Sequence, residues 1–301
     1  MDWVKKGFGP NYLSFHSTLP FYLNYHNAIP TPNKSVLHLA KEAIERIASN
    51  YPAPYTLMCS GGIDSQAMIL AWKYSGVPFN IVSARYNNNL NDHDLSELKL
   101  LSSRENLDVT YLDIDVIDFH ETQLEDWAKR FNCTSPQILT HMYIASKITT
   151  GTVISSGHYV LKTGFGTTPY GVFGLHRYSQ ISGQSMIPYF WMHDQYLMPA
   201  FELLRREHSD TNLIGVTHDY AYKVLLFNLA GIGVIPQTTK YNGFENLKER
   251  YDHIKFSNMQ LLRIKSKNRD PSLRSYDIMF RHRLEEITPC YGLTAMTVLG
   301  W

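Results

Sequence analysis

Two spacings of apolar residues alternate along the first half of the chain. Leu37, Ala40, Ile44 and Ile47 recur every three or four positions behind Ser35, predicting a helix capped at Ser35 and running to about residue 50. Pro52 and Pro54 end it. The apolar run Tyr55-Thr56-Leu57-Met58-Cys59 reads as a buried strand, and Gln66 to about Tyr74 returns to helix. Gly76-Val77-Pro78 is a turn, residues 79–84 a second strand and residues 85–91 a polar loop. Leu95, Leu98 and Leu101 mark a helix from about residue 92 to 106, and residues 109–114 a third strand. Two helical segments at 116–131 and 136–148 precede a fourth strand at 152–155, with Ser156-Gly157-His158 as its exit.

Strands alternating with helices at this spacing predict an α/β fold, a parallel twisted sheet with helices on both faces. Any ligand then belongs at the carboxyl ends of the strands. The texture changes at 162–186, where Gly164, Gly166, Gly171, Gly174 and Gly183 interrupt the apolar runs and predict a long loop or lid. Helices at 189–207, 218–229 and 245–253 and an extended piece at 212–216 make the C-terminal part mainly helical. Residues 1–33 are aromatic and irregular, broken by Pro10, Pro20, Pro30 and Pro32.

Composition narrows the class without naming it. The 301 residues suffice for one large domain or two modest ones, and 44% hydrophobic content is ordinary for a globular chain. The net charge of +1 gives no overall pull toward nucleic acid or membrane. Three separated cysteines, Cys59, Cys133 and Cys290, support neither a disulfide framework nor a zinc ribbon, and the 13 histidines show no zinc spacing. The first residues lack the apolar core of a signal peptide, and no stretch of 18 apolar residues occurs, so the expected location is the cytosol.

Ser60-Gly61-Gly62-Ile63-Asp64-Ser65 lies between the first strand of the alternating pattern and its helix. Two glycines let the backbone turn tightly and bring N–H groups against a ligand. The first turn of the following helix adds unpaired N–H donors and the positive end of its dipole. Together they suit phosphate. Ser60 and Ser65 add hydroxyls. Asp64 would repel a polyphosphate unless it holds Mg²⁺, which bridges carboxylate and phosphate oxygens. No Lys follows Gly62, so this is not the P-loop of the Walker type.

The S-G-G-x-D-S pattern resembles the PP-loop of the ATP pyrophosphatase (adenine nucleotide alpha hydrolase-like) superfamily, most closely the synthetase domain of asparagine synthetase. The resemblance covers residues 50–160 and, more weakly, 210–250. It implies that the loop grips the β- and γ-phosphates of ATP with Mg²⁺, and that ATP is cut between α and β to give an adenylated substrate and pyrophosphate. By the same resemblance the exit of the second strand, Ser83-Ala84-Arg85, meets adenine or ribose through its backbone, with Arg85 available to a phosphate or carboxylate. The acidic opening at residues 91–97 resembles that family too, although helix capping accounts for it. Ser156-Gly157 matches the family's fourth-strand segment, where glycine admits substrate, but the acids that follow there are replaced by His158-Tyr159-Val160-Leu161-Lys162. Lys240 with Phe244 matches a late element whose lysine reaches pyrophosphate, supplying the cation that the glycine loop lacks.

The resemblance divides the chain into an N-terminal extension and helix (1–50), a PP-loop nucleotide-binding core (51–160), and a lid with a helical C-terminal substrate region (161–301). It implies a ligase that adenylates a carboxylate or amide-like carbonyl and transfers it to ammonia or an amine. Catalysis falls to Asp64 and Lys240. Ser60, Gly61, Gly62, Asp64, Ser65, Ser83, Arg85 and Gly157 bind the cofactor, with Asp64 on the metal. Asp2 follows Met1 where glutamine-dependent relatives carry a cysteine nucleophile, so nitrogen would arrive as free ammonia, an amine, or ammonia from a partner. The acceptor would be a small molecule. A nucleobase in tRNA or DNA is the less favoured acceptor, suggested by the basic tail from Arg263 to Arg283. A third alternative is a protein that binds ATP without turning it over. Stand-alone members of this size resemble those carried by tailed phages, which would place the chain in a host cytoplasm.

Overall fold

The computed structural model describes residues 4–8, 21–25, 34–133, 136–157, 169–194, 196–208 and 220–236. At its centre lies a five-stranded sheet. β3 (Tyr55–Met58) is flanked on one side by β4 (Asn80–Tyr86) and β5 (Val109–Ile114), on the other by β6 (Thr152–Ser155) and β7 (Met186–Ile187). The order is β5-β4-β3-β6-β7 and every neighbouring pair is parallel. The chain first builds outward from β3 through β4 and β5, then returns to the other side of β3 for β6. The order therefore reverses between β3 and β6, and ligands of open parallel sheets bind at such a switch point.

Side-chain alternation assigns the two faces. Leu57, Ile81, Ile154 and Ile187 belong to one apolar core, which is covered by α1 (Val36–Asn50), α2 (Ile63–Ser75), α3 (Asp92–Glu105), α9 (Leu197–His208) and α10 (Tyr220–Leu229). Val82, Ala84, Val153 and Met186 enter a second core with α5 (Leu124–Phe131), α6 (Pro136–Ser146) and α7 (Pro169–Ser182). Strands buried on both faces read as continuous apolar runs, which explains their legibility in the sequence. Trp72, fully buried on α2, binds the first core together: its ring lies 5.5 Å from Tyr55, 6.1 Å from Phe79 and 6.4 Å from Phe190. Among the described residues no helix is long and apolar enough to cross a membrane.

Several expectations are corrected. The irregular N-terminal stretch contains an antiparallel pair, β1 (Val4–Phe8) with β2 (Phe21–Tyr25), in which Val4 faces Tyr25. Its aromatic content favours pleated strands, and Pro10 and Pro20 fall outside the paired residues. The long loop expected over 162–186 holds helix α7. A Cβ on Gly174 would lie 2.4 Å from Ile138 Cγ2, so glycine there allows α7 to approach α6 closely rather than breaking the helix. The single helix expected at 189–207 is two, α8 (Phe190–His193) and α9. Asp194 holds the break: it accepts from Arg46 Nη2 at 2.6 Å and from the Tyr196 N–H at 2.9 Å. The polar loop at 85–91 begins later than expected, because Arg85 and Tyr86 extend β4. Asn91 does not cap α3 through its side chain. Its amide donates to Ala84 O and accepts from the Tyr86 N–H, both at 2.8 Å, and so clamps the end of β4. The pieces expected at 212–216 and 245–253 lie outside the described residues.

The helical stretch at 116–131 is also interrupted. Between α4 (Val116–Asp118) and α5, residues Phe119–Gln123 form a wider π-helical turn that carries the buried His120. His120 Nε2 is 2.8 Å from Thr140 Oγ1, whose hydroxyl donates to Pro136 O at 2.8 Å. The threonine proton is thereby used, so Nε2 carries the imidazole proton and donates to the hydroxyl oxygen. Burial lowers the His120 pKa to about 3. The unfolded chain takes up a proton on this residue below about pH 6.5, whereas the folded chain does not until about pH 3. Stability is therefore full above the unfolded value and is lost as pH falls, by about 1.4 kcal/mol per pH unit within that window. Urea unfolding of wild type between about pH 7 and 5 should show this loss, ahead of carboxylate titration, and His120→Gln should flatten it. Equal slopes for the two proteins would refute the assignment.

Candidate functional site

β3 ends beside the second core strand, the Cys59 N–H donating to Val82 O at 2.9 Å, and the chain then turns through Ser60-Gly61-Gly62 into α2. Gly61 adopts φ +88°, and a Cβ there would stand 2.1 Å from the Asp94 carbonyl of α3. Both the left-handed backbone and the contact with α3 require glycine. Gly62 caps α2 with φ −63° and no side-chain hydrogen bond, leaving its helix N-terminus open. Asp64 sits in the first helical turn, where the helix dipole favours its negative charge.

Serines converge across the switch point. Ser65 Oγ accepts from the Ser60 N–H at 3.4 Å, lies 3.5 Å from Ser60 Oγ, and is 3.2 Å from Ser156 Oγ at the exit of β6. Ser65 and Ser156 are buried while Ser60 is exposed, so the hydroxyl chain runs from the interior beside β6 to the exposed start of the turn. Gly157 follows with φ +64°, and a Cβ there would collide with the Tyr189 ring at 1.8 Å. Tyr189 is itself left-handed at φ 64°, a strained conformation for an aromatic residue.

Two residues distant in sequence, Lys223 and Trp191, and the neighbouring Gln66 fasten the loop. Lys223 of α10 donates to Asp64 Oδ2 at 2.8 Å, and both side chains are mostly buried. Trp191 Nε1 donates to the Asp64 carbonyl at 3.1 Å. Gln66, fully buried, donates to Gly61 O at 3.0 Å. None of Lys223, Trp191 and Gln66 stands out by motif. Lys223 had one available signal, as the single charged residue in the otherwise uncharged helix Tyr220–Leu229.

The remaining expected site residues divide. Ser83 is buried on the Ile81 face of β4, and its hydroxyl has no hydrogen-bond partner among the described residues. A buried hydroxyl without a partner, one residue past the Val82 carbonyl that bonds the end of β3, fits a ligand contact. Arg85 is exposed and already engaged: Nε and Nη2 donate to Asp113 at 2.6 and 2.9 Å. That guanidinium holds the Asp113 carboxyl below the usual carboxylate range. Lys240 and Lys162 lie outside the described residues.

No family model matches the sequence, and no curated protein is similar to it. Solved structures to which the chain is similar include an NH3-dependent NAD synthetase from Campylobacter jejuni in complex with the nitrate ion, at 16% identity over 83% of this chain and 92% of that one, TM-score 0.34. A second is the NMN synthetase of Francisella tularensis, at 14% identity over 74% of this chain and 97% of that one, TM-score 0.34. A third is a glutamine-dependent NAD+ synthetase from Acinetobacter baumannii in complex with ADP, at 14% identity over 89% of this chain and 49% of that one, TM-score 0.31. The architecture itself is a doubly wound parallel α/β sheet with a serine–glycine loop at its switch point.

Proposed function

We propose that this chain is an ATP-dependent ligase that forms AMP and pyrophosphate. The carrying observation is the convergence, at the switch point, of an open helix N-terminus, buried serine hydroxyls and the Asp64–Lys223 pair. A glycine turn with N–H donors suits phosphate oxygens. The serines extend the donor set. Lys223 offsets the negative charge that Asp64 would otherwise present to a polyphosphate.

The donor set fits magnesium brought by the nucleotide. Mg²⁺ is held by one or two carboxylates, with substrate phosphates and water completing its octahedron, and Asp64 supplies one carboxylate beside two hydroxyls. When bound, the ion would neutralise phosphate charge. In the first step a carboxylate oxygen of the acceptor attacks Pα, and the bond from Pα to the bridging oxygen breaks, so pyrophosphate leaves. In the second, an amine nitrogen attacks the acyl carbon, loses a proton, and AMP leaves with the electron pair of the acyl–oxygen bond. The loop N–H groups and Ser65 hold the leaving pyrophosphate through the first step, and Lys223 steadies its developing charge.

A second reading is favoured by a specific observation. Asp64 Oδ2 is already taken by Lys223, and the acids expected after Gly157 are absent from the sequence. A chain built this way would bind ATP without cutting it. Both are tested by incubating the protein with ATP·Mg and pools of amino acids, nucleosides and tRNA, with Asp64→Ala as control. AMP and pyrophosphate that depend on Asp64 and on one pool establish the ligase and its substrate class. Production of ADP and phosphate refutes it. Tight ATP binding without products from any pool selects the second reading.

A further inference from the structure

Gln66 lies in the second turn of α2 and is 0% exposed. Its amide makes two bonds to main chain: Nε2 donates to Gly61 O at 3.0 Å, and Oε1 accepts from the Ile235 N–H at 3.0 Å. A carbonyl can only accept and a backbone N–H can only donate, so these two partners fix the orientation of the amide. One side chain therefore bridges the glycine turn and the segment that follows α10.

In a trans peptide the C=O and the N–H point in opposite directions. Because Gln66 draws the Gly61 carbonyl into the protein, the N–H of Gly62 points away from Gln66, to the outer side of the turn. That N–H donates to nothing among the described residues. Flipping this peptide would turn a carbonyl dipole toward a bound anion. Gly61, at φ +88°, has no Cβ to resist such a flip, so the hydrogen bond from Gln66 must do so.

We propose that Gln66 is a positioning residue. It holds the Gly61–Gly62 peptide in its anion-accepting orientation and couples that orientation to residues 232–236. The anion role rests on the proposed function, but the coupling does not. The segment 232–236 itself is well anchored, Ile232 and Val234 being buried in the core shared with α2. An anion seated on the turn and the order of this segment thus reinforce one another through a single amide.

Hydrogen exchange of the nucleotide-free protein tests the coupling. Gln66→Met keeps the shape and loses both bonds, so beyond Ile235 itself exchange should rise together at the bonded amides of Cys59 and Ser60 at the turn and of Ile232 and Val234 after α10. Titration with inorganic pyrophosphate, read by calorimetry, tests the anion role, and affinity should fall about tenfold in Gln66→Met. Gln66→Glu is the companion variant, and it carries the test if Gln66→Met does not fold. Burial raises a carboxyl pKa, and the protonated acid can again donate to Gly61 O while accepting from Ile235. Its affinity relative to wild type should recover between about pH 9 and 6, whereas that of Gln66→Met stays flat. Unchanged exchange in both segments, or affinities equal to wild type at every pH, overturns the proposal. If wild type itself takes up no pyrophosphate, the ligase reading fails while the exchange comparison still decides the coupling.

Discussion

If the chain is the proposed ligase, Lys223→Ala should lower AMP formation by about 10²–10³-fold, and Lys223→Arg should retain more of it. The ammonium stands 2.8 Å from Asp64 Oδ2 at the start of α2, where a polyphosphate would meet the loop. It is the described cation that touches this loop directly, and it has two effects. Before the nucleotide arrives it neutralises Asp64, so that the site does not repel an anion. On the proposed ligase reading, it would stabilise charge on the leaving pyrophosphate as the α–β bond breaks, a contribution larger in the transition state than in the bound ground state. The expected signature is a fall in kcat that exceeds any rise in KM for ATP. Lys240→Ala is the paired measurement, because the resemblance assigns the leaving-group charge to that lysine. A larger loss in Lys240→Ala, with Lys223→Ala near wild type, would move the role to Lys240 and leave Lys223 as a structural partner of Asp64. Urea midpoints of both variants separate these effects from unfolding. Removing Lys223 takes an ion-pair partner from a mostly buried carboxylate, so some loss of stability accompanies the kinetic one.

The two lysines also show where sequence reasoning stops. The strands β3 to β6 and the helices between them were legible because sheets covered on both faces write themselves as apolar runs, and amphipathic helices as three- and four-residue spacings. The loop was legible because its chemistry is local: two glycines, two serines and an acid within six positions. What fastens the loop is not local. Lys223 and Asp64 are 159 positions apart, Trp191 and Asp64 127, Ile235 and Gln66 169, Ser156 and Ser65 91. Topology alone makes these neighbours, through the return of the chain to the β6 side of β3, and no window of sequence contains both members of a pair. Local rules misled where packing overrode them. Gly174 marked a loop by composition, yet its missing side chain is what lets α7 lie against Ile138. Asn91 had the residue type of a cap, yet its amide is spent on the two backbone groups at the end of β4. The prolines of the first 33 residues hid a strand pair that avoids them.

Gly61→Ala and Gly62→Ala, adjacent in the motif, should fail in different ways. At Gly61 the new methyl would meet the Asp94 carbonyl at 2.1 Å, and a backbone atom cannot rotate aside as a side chain would. The φ of +88° adds the left-handed penalty of about 1–2 kcal/mol, and overpacking against α3 adds about 1–3 kcal/mol. Gly61→Ala is thus expected to lose about 3 kcal/mol in urea unfolding, or to flip the loop and bind neither ATP nor pyrophosphate. At Gly62 the backbone is at φ −63°, suitable for any residue, and the nearest atom to a Cβ is Ser60 Oγ at 3.6 Å. The folded protein tolerates that methyl, so stability should stay within about 0.5 kcal/mol of wild type. The methyl nonetheless stands on the turn whose N–H groups are to meet phosphate, and close approach of backbone to ligand is what glycine provides. Nucleotide affinity should therefore drop in Gly62→Ala without a matching drop in stability. Wild-type stability together with wild-type nucleotide binding in Gly61→Ala would show that the turn does not rest on α3. Wild-type affinity in Gly62→Ala would show that the anion lies elsewhere than against this peptide, and the ligase reading would lose its binding site.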